Sequence, residues 1–403
     1  MDSGIYWIWL QTGLGIRARA GEILAAFESP RAMYEAGPSA WRISGVLTPG
    51  QVSRLENSSL EQAKRINALC EKNGWGVVTP DSPDYPERLL QTDDFPLVLY
   101  CWGDLGKLKG KLPIAVVGTR NPSVHSVDIT GRLSLSLASS GAAIVSGGAL
   151  GIDSAAHAGA LYGKGTTAAV LGCGLACRYL MNNYPLRRDI AASGAVISEY
   201  PPETPVSARN FPIRNRIISG MCCATVVIEA GERSGSLITA NLALEQGRDV
   251  FAVPGDVINS SFSGANKLIR EGAKPVFSAA DVLEEYAYRF PGLLREPFDT
   301  RPLGSVPPVF DSLQGTVKAP PRPLQSPREN TGQAKPAPVK KPLPPGTDPN
   351  AAAVYAVLGA APTHIDDIVR ATGLSVSQAG IALTQLELSG VAQLTSGKRY
   401  VIT

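Results

Sequence analysis

Ile114-Ala115-Val116-Val117-Gly118-Thr119-Arg120 opens with a four-residue apolar run that stops at a glycine, and the chain returns to that pattern four more times. Ala143 to Ser146 runs into Gly147, Thr167 to Leu171 into Gly172, Thr225 to Ile228 into the segment Glu229 to Gly235, and Val250 to Val253 into Pro254-Gly255. Each run has the length of a strand, and unbroken apolar character suits a strand covered on both faces. Helical stretches separate the runs. Strands alternating with helices imply crossover connections, so the segment from Leu112 onward predicts an α/β fold on a doubly wound, mostly parallel sheet.

Outward from this segment the composition changes twice. Residues 5 to 70 read as short amphipathic helices broken at Gly13-Leu14-Gly15 and Thr48-Pro49-Gly50, which makes residues 1–75 a small helical domain ahead of a core at 76–288. Between Pro291 and Pro349 lie 15 of the 32 prolines, with few large apolar residues. Such a stretch cannot bury a core, so residues 289–349 are expected to form a linker that sets apart a tail at 350–403.

The 403 residues carry a net charge of only +3, so contact with nucleic acid would have to come from local clusters of Lys and Arg. Six cysteines without a CxxC pair and three histidines assemble no zinc-ligand spacing, and no metal is expected. The start, Met1-Asp2-Ser3-Gly4-Ile5, lacks a basic region followed by a long apolar one, and no apolar run approaches the roughly 20 residues of a membrane span. A cytoplasmic protein with reduced cysteines is the expectation.

In a doubly wound sheet the loops at the carboxyl ends of the strands form the binding crevice. Here they read Gly118-Thr119-Arg120, Ser146-Gly147-Gly148, Gly172-Cys173-Gly174 and Gly231-Glu232-Arg233-Ser234-Gly235. A tight strand-to-helix turn accounts for any one of them. Four together bring backbone N–H groups and helix N-termini to one edge, which suits phosphate, with Arg120, Arg214, Arg216 and Arg233 as paired charges. Asn210-Phe211-Pro212-Ile213-Arg214-Asn215-Arg216 joins an aromatic to two arginines before a helix, as a stacked base beside its phosphates would need; solvated arginines on a Pro-started helix explain the same spacing. No loop matches GxxxxGK[ST], and Ser146 to Gly151 only approximates a dinucleotide fingerprint, so neither ATP nor NAD is expected as cofactor. Asp153 and His157 share one helix face as a candidate acid–base pair or, more simply, as a helix cap with a histidine above it.

Gly118-Thr119-Arg120, Ser146 to Asp153, His157, Val170 to Leu175, Ser198-Glu199-Tyr200-Pro201, Phe211 to Ile218, Ser234 to Ala240 and Ala252-Val253-Pro254-Gly255, in that order, closely resemble the DprA/Smf family. The resemblance is strongest from Val78 to Val276. It implies a Rossmann-like core that binds single-stranded DNA, forms a homodimer, and delivers the strand to the RecA recombinase during natural transformation, without catalysis. Carried onto this chain, it assigns DNA contacts to Arg120 and to Phe211 to Arg216, with Ser146-Gly147-Gly148 and Asn215 in the same pocket. The family usually has Ser where Thr119 stands, Arg at Leu150, Asp at Ala176 and Pro at Leu180, and many members carry a lysine within 178–183. Lys164, Arg178 and Lys274 are the cations that could replace the missing charge. The tail resembles a winged-helix domain, with helices at Ile365 to Val369 and Val376 to Leu388 and Lys398-Arg399-Tyr400 on the wing; the second helix contains no Lys or Arg, which favours a protein contact or a weak DNA contact over sequence-specific binding. Gly13-Leu14-Gly15 resembles a helix-hairpin-helix or SAM-like module.

Two other functions fit parts of this pattern. A nucleotide phosphoribohydrolase of the same topology would use Glu229, although Glu229 to Gly235 departs from the PGGxGTxxE loop of those enzymes. A ligand-sensing transcription regulator would read DNA through the tail.

Overall fold

The computed structural model describes residues 3–18, 20–178, 183–306, 309, 347–359, 363–395 and 399–402. The chain divides into two compact units, 1–323 and 324–403. Among the described residues no helix is long and apolar enough to cross a membrane.

The first unit begins with five helices: α1 (Ser3–Leu14), α2 (Gly21–Phe27), α3 (Pro30–Ile43), α4 (Pro49–Glu56) and α5 (Leu60–Lys72). Side-chain caps start three of them. Ser29, Thr48 and Ser59 each accept a hydrogen bond from the third helical N–H, and Thr48 with Gln51 forms a full capping box. Trp7, Trp9 and Trp41 sit at the centre with Leu10, Met33 and Leu55, and Val98 and Tyr100 close this cluster from below. Gln11 fastens the layer down: its Nε2 donates to the Glu199 carbonyl at 2.9 Å and its Oε1 accepts from Tyr100 Oη at 3.0 Å.

A nine-stranded sheet follows, built from β1 (Gly76–Val78), β2 (Leu99–Gly103), β3 (Leu112–Val117), β4 (Ala142–Ser146), β5 (Thr166–Leu171), β6 (Ala195–Ser198), β7 (Ala224–Val227), β8 (Asp249–Ala252) and β9 (Lys274–Pro275), in the order β1-β2-β6-β5-β4-β3-β7-β8-β9. From β6 to β9 every pair is parallel, whereas β1 with β2 and β2 with β6 are antiparallel. The connecting helices are α6 (Val124–Ser139), α7 (Ile152–Tyr162), α8 (Tyr184–Ser193), α9 (Asn210–Gly220), α10 (Gly235–Glu245) and α11 (Ser263–Arg270), and α12 (Ala280–Ala287) completes the unit's core. Along β3 the period of two divides the interior. Ala115 and Val117 pack against Ile217 and Ile218 of α9 and Ala240 of α10, while Ile114 and Val116 pack against Leu133 and Leu137 of α6 and Val282 of α12. Burial on both faces is why these strands read as unbroken apolar runs.

The linker boundary needs correcting. Residues 290–306, assigned to the linker for their prolines, lie on the body: Leu294, Phe298 and Leu303 join the α6/α12 cluster. Their backbone is tied down as well, Arg295 N donating to Ser140 O at 2.9 Å and Arg132 Nη1 to Leu303 O at 2.9 Å. One large apolar residue every few positions is enough for this stretch to follow a groove.

The second unit holds α13 (Pro349–Val357), β10 (Thr363–His364), α14 (Ile365–Thr372), α15 (Val376–Leu388), β11 (Ala392–Thr395) and β12 (Arg399–Ile402), the strands in the order β10-β12-β11. Val354, Ile368, Leu383, Leu386 and Ile402 make its core, and Gly373 at φ +70° ends α14. This is the winged-helix arrangement. Lys398 of the expected wing lies outside the described residues.

Candidate nucleic-acid interface

Strand order reverses at β3, which has β4 on one side and β7 on the other. The crevice outside the carboxyl ends of these strands is where an open α/β sheet takes its ligand. Here Thr119 N donates to Glu229 O at 2.8 Å and Ile152 N to Thr119 O at 3.2 Å, tying the loops after β7 and β4 to the loop after β3. The result is a cleft of about 310 Å³ onto which the first turns of α7, α9 and α10 open, and its lining includes Gly118, Thr119, Arg120, Phe211, Arg214, Asn215, Ser234 and Gly235. The positive ends of the helix dipoles at these helix starts favour an anion there.

The exposed face combines charge with an aromatic plane. Arg120 places its guanidinium carbon 4.5 Å from the Phe211 ring centroid. Stacking of this kind leaves the N–H edges of the guanidinium available to phosphate. Phe211 in turn lies on the loop after β5, where a Cβ added to Gly172 would come within 3.0 Å of the ring.

The floor is polar and buried. Arg214 is almost wholly enclosed; its Nη1 donates to Gly147 O at 2.7 Å and to Val170 O. Burial pushes its pKa down to about 10, against the pull of Asp153, so it remains charged near neutrality. Burial raises the Asp153 carboxyl while Arg214 opposes the rise, and Asp153 accepts from Ala149 N at 3.3 Å. Gly147 is needed at this contact because a Cβ there would lie 2.5 Å from Asp153 Oδ2 and 2.6 Å from Arg214 Nη1. Arg214 therefore braces the Ser146-Gly147-Gly148 turn and offers the cleft its field from underneath. Ser146 is likewise internal, donating to Val116 O at 2.7 Å. Asn215 reaches across to Gly235 O at 3.3 Å, and Arg233 is exposed in the same loop as Ser234.

Three of the expected site residues are elsewhere. Arg216 is buried beneath the helical layer, with Nη2 2.7 Å from Glu199 Oε1 and Nε 3.1 Å from Asp94 Oδ2. Lys164 stands at φ +51° in the turn before β5, at the amino edge of the sheet. Lys274 lies on the edge strand β9, paired with Glu285 at 2.7 Å. Arg178 is exposed, and residues 179–182 after it lie outside the described residues. His157 and Asp153 do not form an acid–base pair: His157 Nδ1 is 2.7 Å from Thr167 Oγ1 in the core, and burial lowers its pKa to about 3. Among the described residues no group of three or more His, Cys, Asp or Glu is placed to hold a metal.

A family model described as DNA recombination-mediator protein A matches residues 76–287, and one described as DprA winged helix domain matches residues 336–398. Protein Smf of Synechocystis sp. is 35% identical over 332 residues, covering 80% of this chain and 79% of its own. The DNA processing protein DprA of Bacillus subtilis is 40% identical over 264 residues, covering 64% of this chain and 89% of its own. The X-ray structure of DNA processing protein A from Streptococcus pneumoniae aligns with a TM-score of 0.60 at 34% identity, over 69% of this chain and 95% of that one.

Proposed function

The chain belongs to the DprA/Smf family of DNA-processing proteins, and on that premise we propose that it binds single-stranded DNA in the cleft at the β3/β7 switch point. The observation that carries this reading is the Arg120–Phe211 stack set among three helix N-termini. Phosphate meets the N–H groups and Arg120, and a base can lie beside Phe211; both contacts are indifferent to sequence. In this reading Gly118, Thr119, Ser234, Gly235 and Asn215 contribute backbone and amide contacts, and Arg233 adds an exposed charge. Ser146, Gly147, Gly148 and Arg214 hold the floor.

The protein so read acts by binding, protecting an incoming strand and passing it to RecA during transformation, as a homodimer. The hydrolase alternative depends on Glu229, which is committed elsewhere: Ser123 N donates to its carboxylate at 3.0 Å. Burial alone would raise that carboxyl, but hydrogen bonding from the Ser123–Ser126 turn outweighs it and holds it below the ordinary range. The test is fluorescence anisotropy of labelled oligo-dT, competed with duplex DNA and with AMP at two salt concentrations. Salt-sensitive binding that unlabelled single strands displace, and duplex and AMP do not, is expected; displacement by AMP would favour the hydrolase.

A further inference from the structure

We propose that the cavity between the amino-terminal helices and the loop after β6 is a second subsite for the same single strand, taking an unstacked base. The inference rests on the single-strand reading above. The cavity has a volume of about 540 Å³, within the range of roughly 300–1,000 Å³ in which proteins hold small ligands. Thr12 of α1, Gln62, Arg65, Ile66 and Leu69 of α5, and Pro202 line it. Ile66, Leu69 and Pro202 offer apolar surface to the plane of a base, while Gln62 offers a donor and an acceptor to its edge and Thr12, whose hydroxyl donates to Ile8 O at 2.8 Å, an acceptor. Glu203 and Arg65 both line the cavity, so it carries no net charge to hold a phosphate inside, and its apolar walls suit the base.

Position links this cavity to the cleft. Gly172 lies directly against the Phe211 ring, and two residues later Gly174 packs so tightly on the Pro201 and Pro202 carbonyls that any Cβ would collide with them. Gly174 N donates to Thr204 O and Ala176 N to Pro202 O, both at 2.9 Å. Phe211, the glycine loop and Pro202 are thus packed in one continuous block along the carboxyl edge of the sheet. From β3 to β6 is three strand spacings, about 14 Å, so a strand stacked at Phe211 reaches the cavity within a few nucleotides.

The test uses the full chain with labelled oligo-dT of about 6 and about 16 nucleotides, lengths that span common single-strand site sizes. The wild type should bind the longer oligonucleotide more tightly by at least about fivefold beyond the statistical gain, the equivalent of one stacked base. Gln62→Trp fills the cavity from an exposed position of α5; it should abolish that gain and leave binding of the short oligonucleotide unchanged, which also shows that the variant is folded. A photoreactive 5-iodouracil at one end or the other of the longer strand should cross-link to α5 or to the loop after β6 in the wild type and not in Gln62→Trp. A full length gain in Gln62→Trp, or cross-links confined to other segments, would overturn the subsite while single-strand binding stood. Failure of the wild type to bind either oligonucleotide would overturn the single-strand reading and the subsite with it.

Discussion

Replacing Arg120 by alanine separates a phosphate contact from a structural one. The side chain is exposed and its described ring contact is with Phe211, so its loss should leave stability within about 0.5 kcal/mol. A charge-assisted hydrogen bond contributes about 1.5–3 kcal/mol, and solvent exposure places this one at the lower end, about tenfold in affinity at low salt. One phosphate contact to a single strand also contributes about 0.7 to the slope of log K against log salt. Over a fourfold rise in salt that slope is worth about 2.6-fold, so a tenfold deficit should shrink to about fourfold. Arg120→Lys should keep the slope and lose the planar stack. Anisotropy titrations of oligo-dT at several salt concentrations measure both quantities. An unchanged slope in Arg120→Ala, with the protein folded, would refute the assignment.

Arg216→Ala should behave oppositely. It strands the buried Glu199 carboxylate and costs about 3–5 kcal/mol, seen as a drop of about 5–8 °C in Tm, with the salt slope of DNA binding unchanged. His157 should make the fold acid-sensitive: its folded pKa of about 3 lies below the ordinary 6.5, so the unfolded chain takes up the proton first. Stability from this group is complete above pH 6.5 and falls by about 2 kcal/mol by pH 5, and urea titrations of His157→Gln should show a flatter pH dependence over that window. Removing residues 307–403 should leave single-strand binding intact, whereas a cut at 290 should also lower Tm, because Leu294, Phe298 and Leu303 are packed in the core. Equal melting of the two truncations would contradict the placement of 290–306.

The five central strands, β3, β4, β5, β7 and β8, could be found in the sequence because burial on both faces leaves uninterrupted apolar runs with glycine at the exit. The margins of the sheet could not. β2 carries aromatics and a cysteine with no alternation, and Ala195–Ser198 is too short to be told from the helix before it, so β1, β2, β6 and β9 became strands only through pairing with distant partners. The glycine loops and the Phe211 motif were legible for the same local reason: they encode turns and helix starts.

What sequence alone determined here is the alternation of elements, the edge of the sheet that carries the loops, and the set of residues able to meet a phosphate. Which of those residues face the cleft was decided by tertiary structure. Arg214 and Arg216, two apart on α9, point about 200° away from each other around the helix, so they cannot share a surface. One supports the cleft floor through Gly147 and Val170, and the other pairs with Glu199 and Asp94, which lie 17 and 122 residues away along the chain. No local pattern distinguishes them, because an arginine's role is fixed by the carboxylates and carbonyls that folding brings within reach of it.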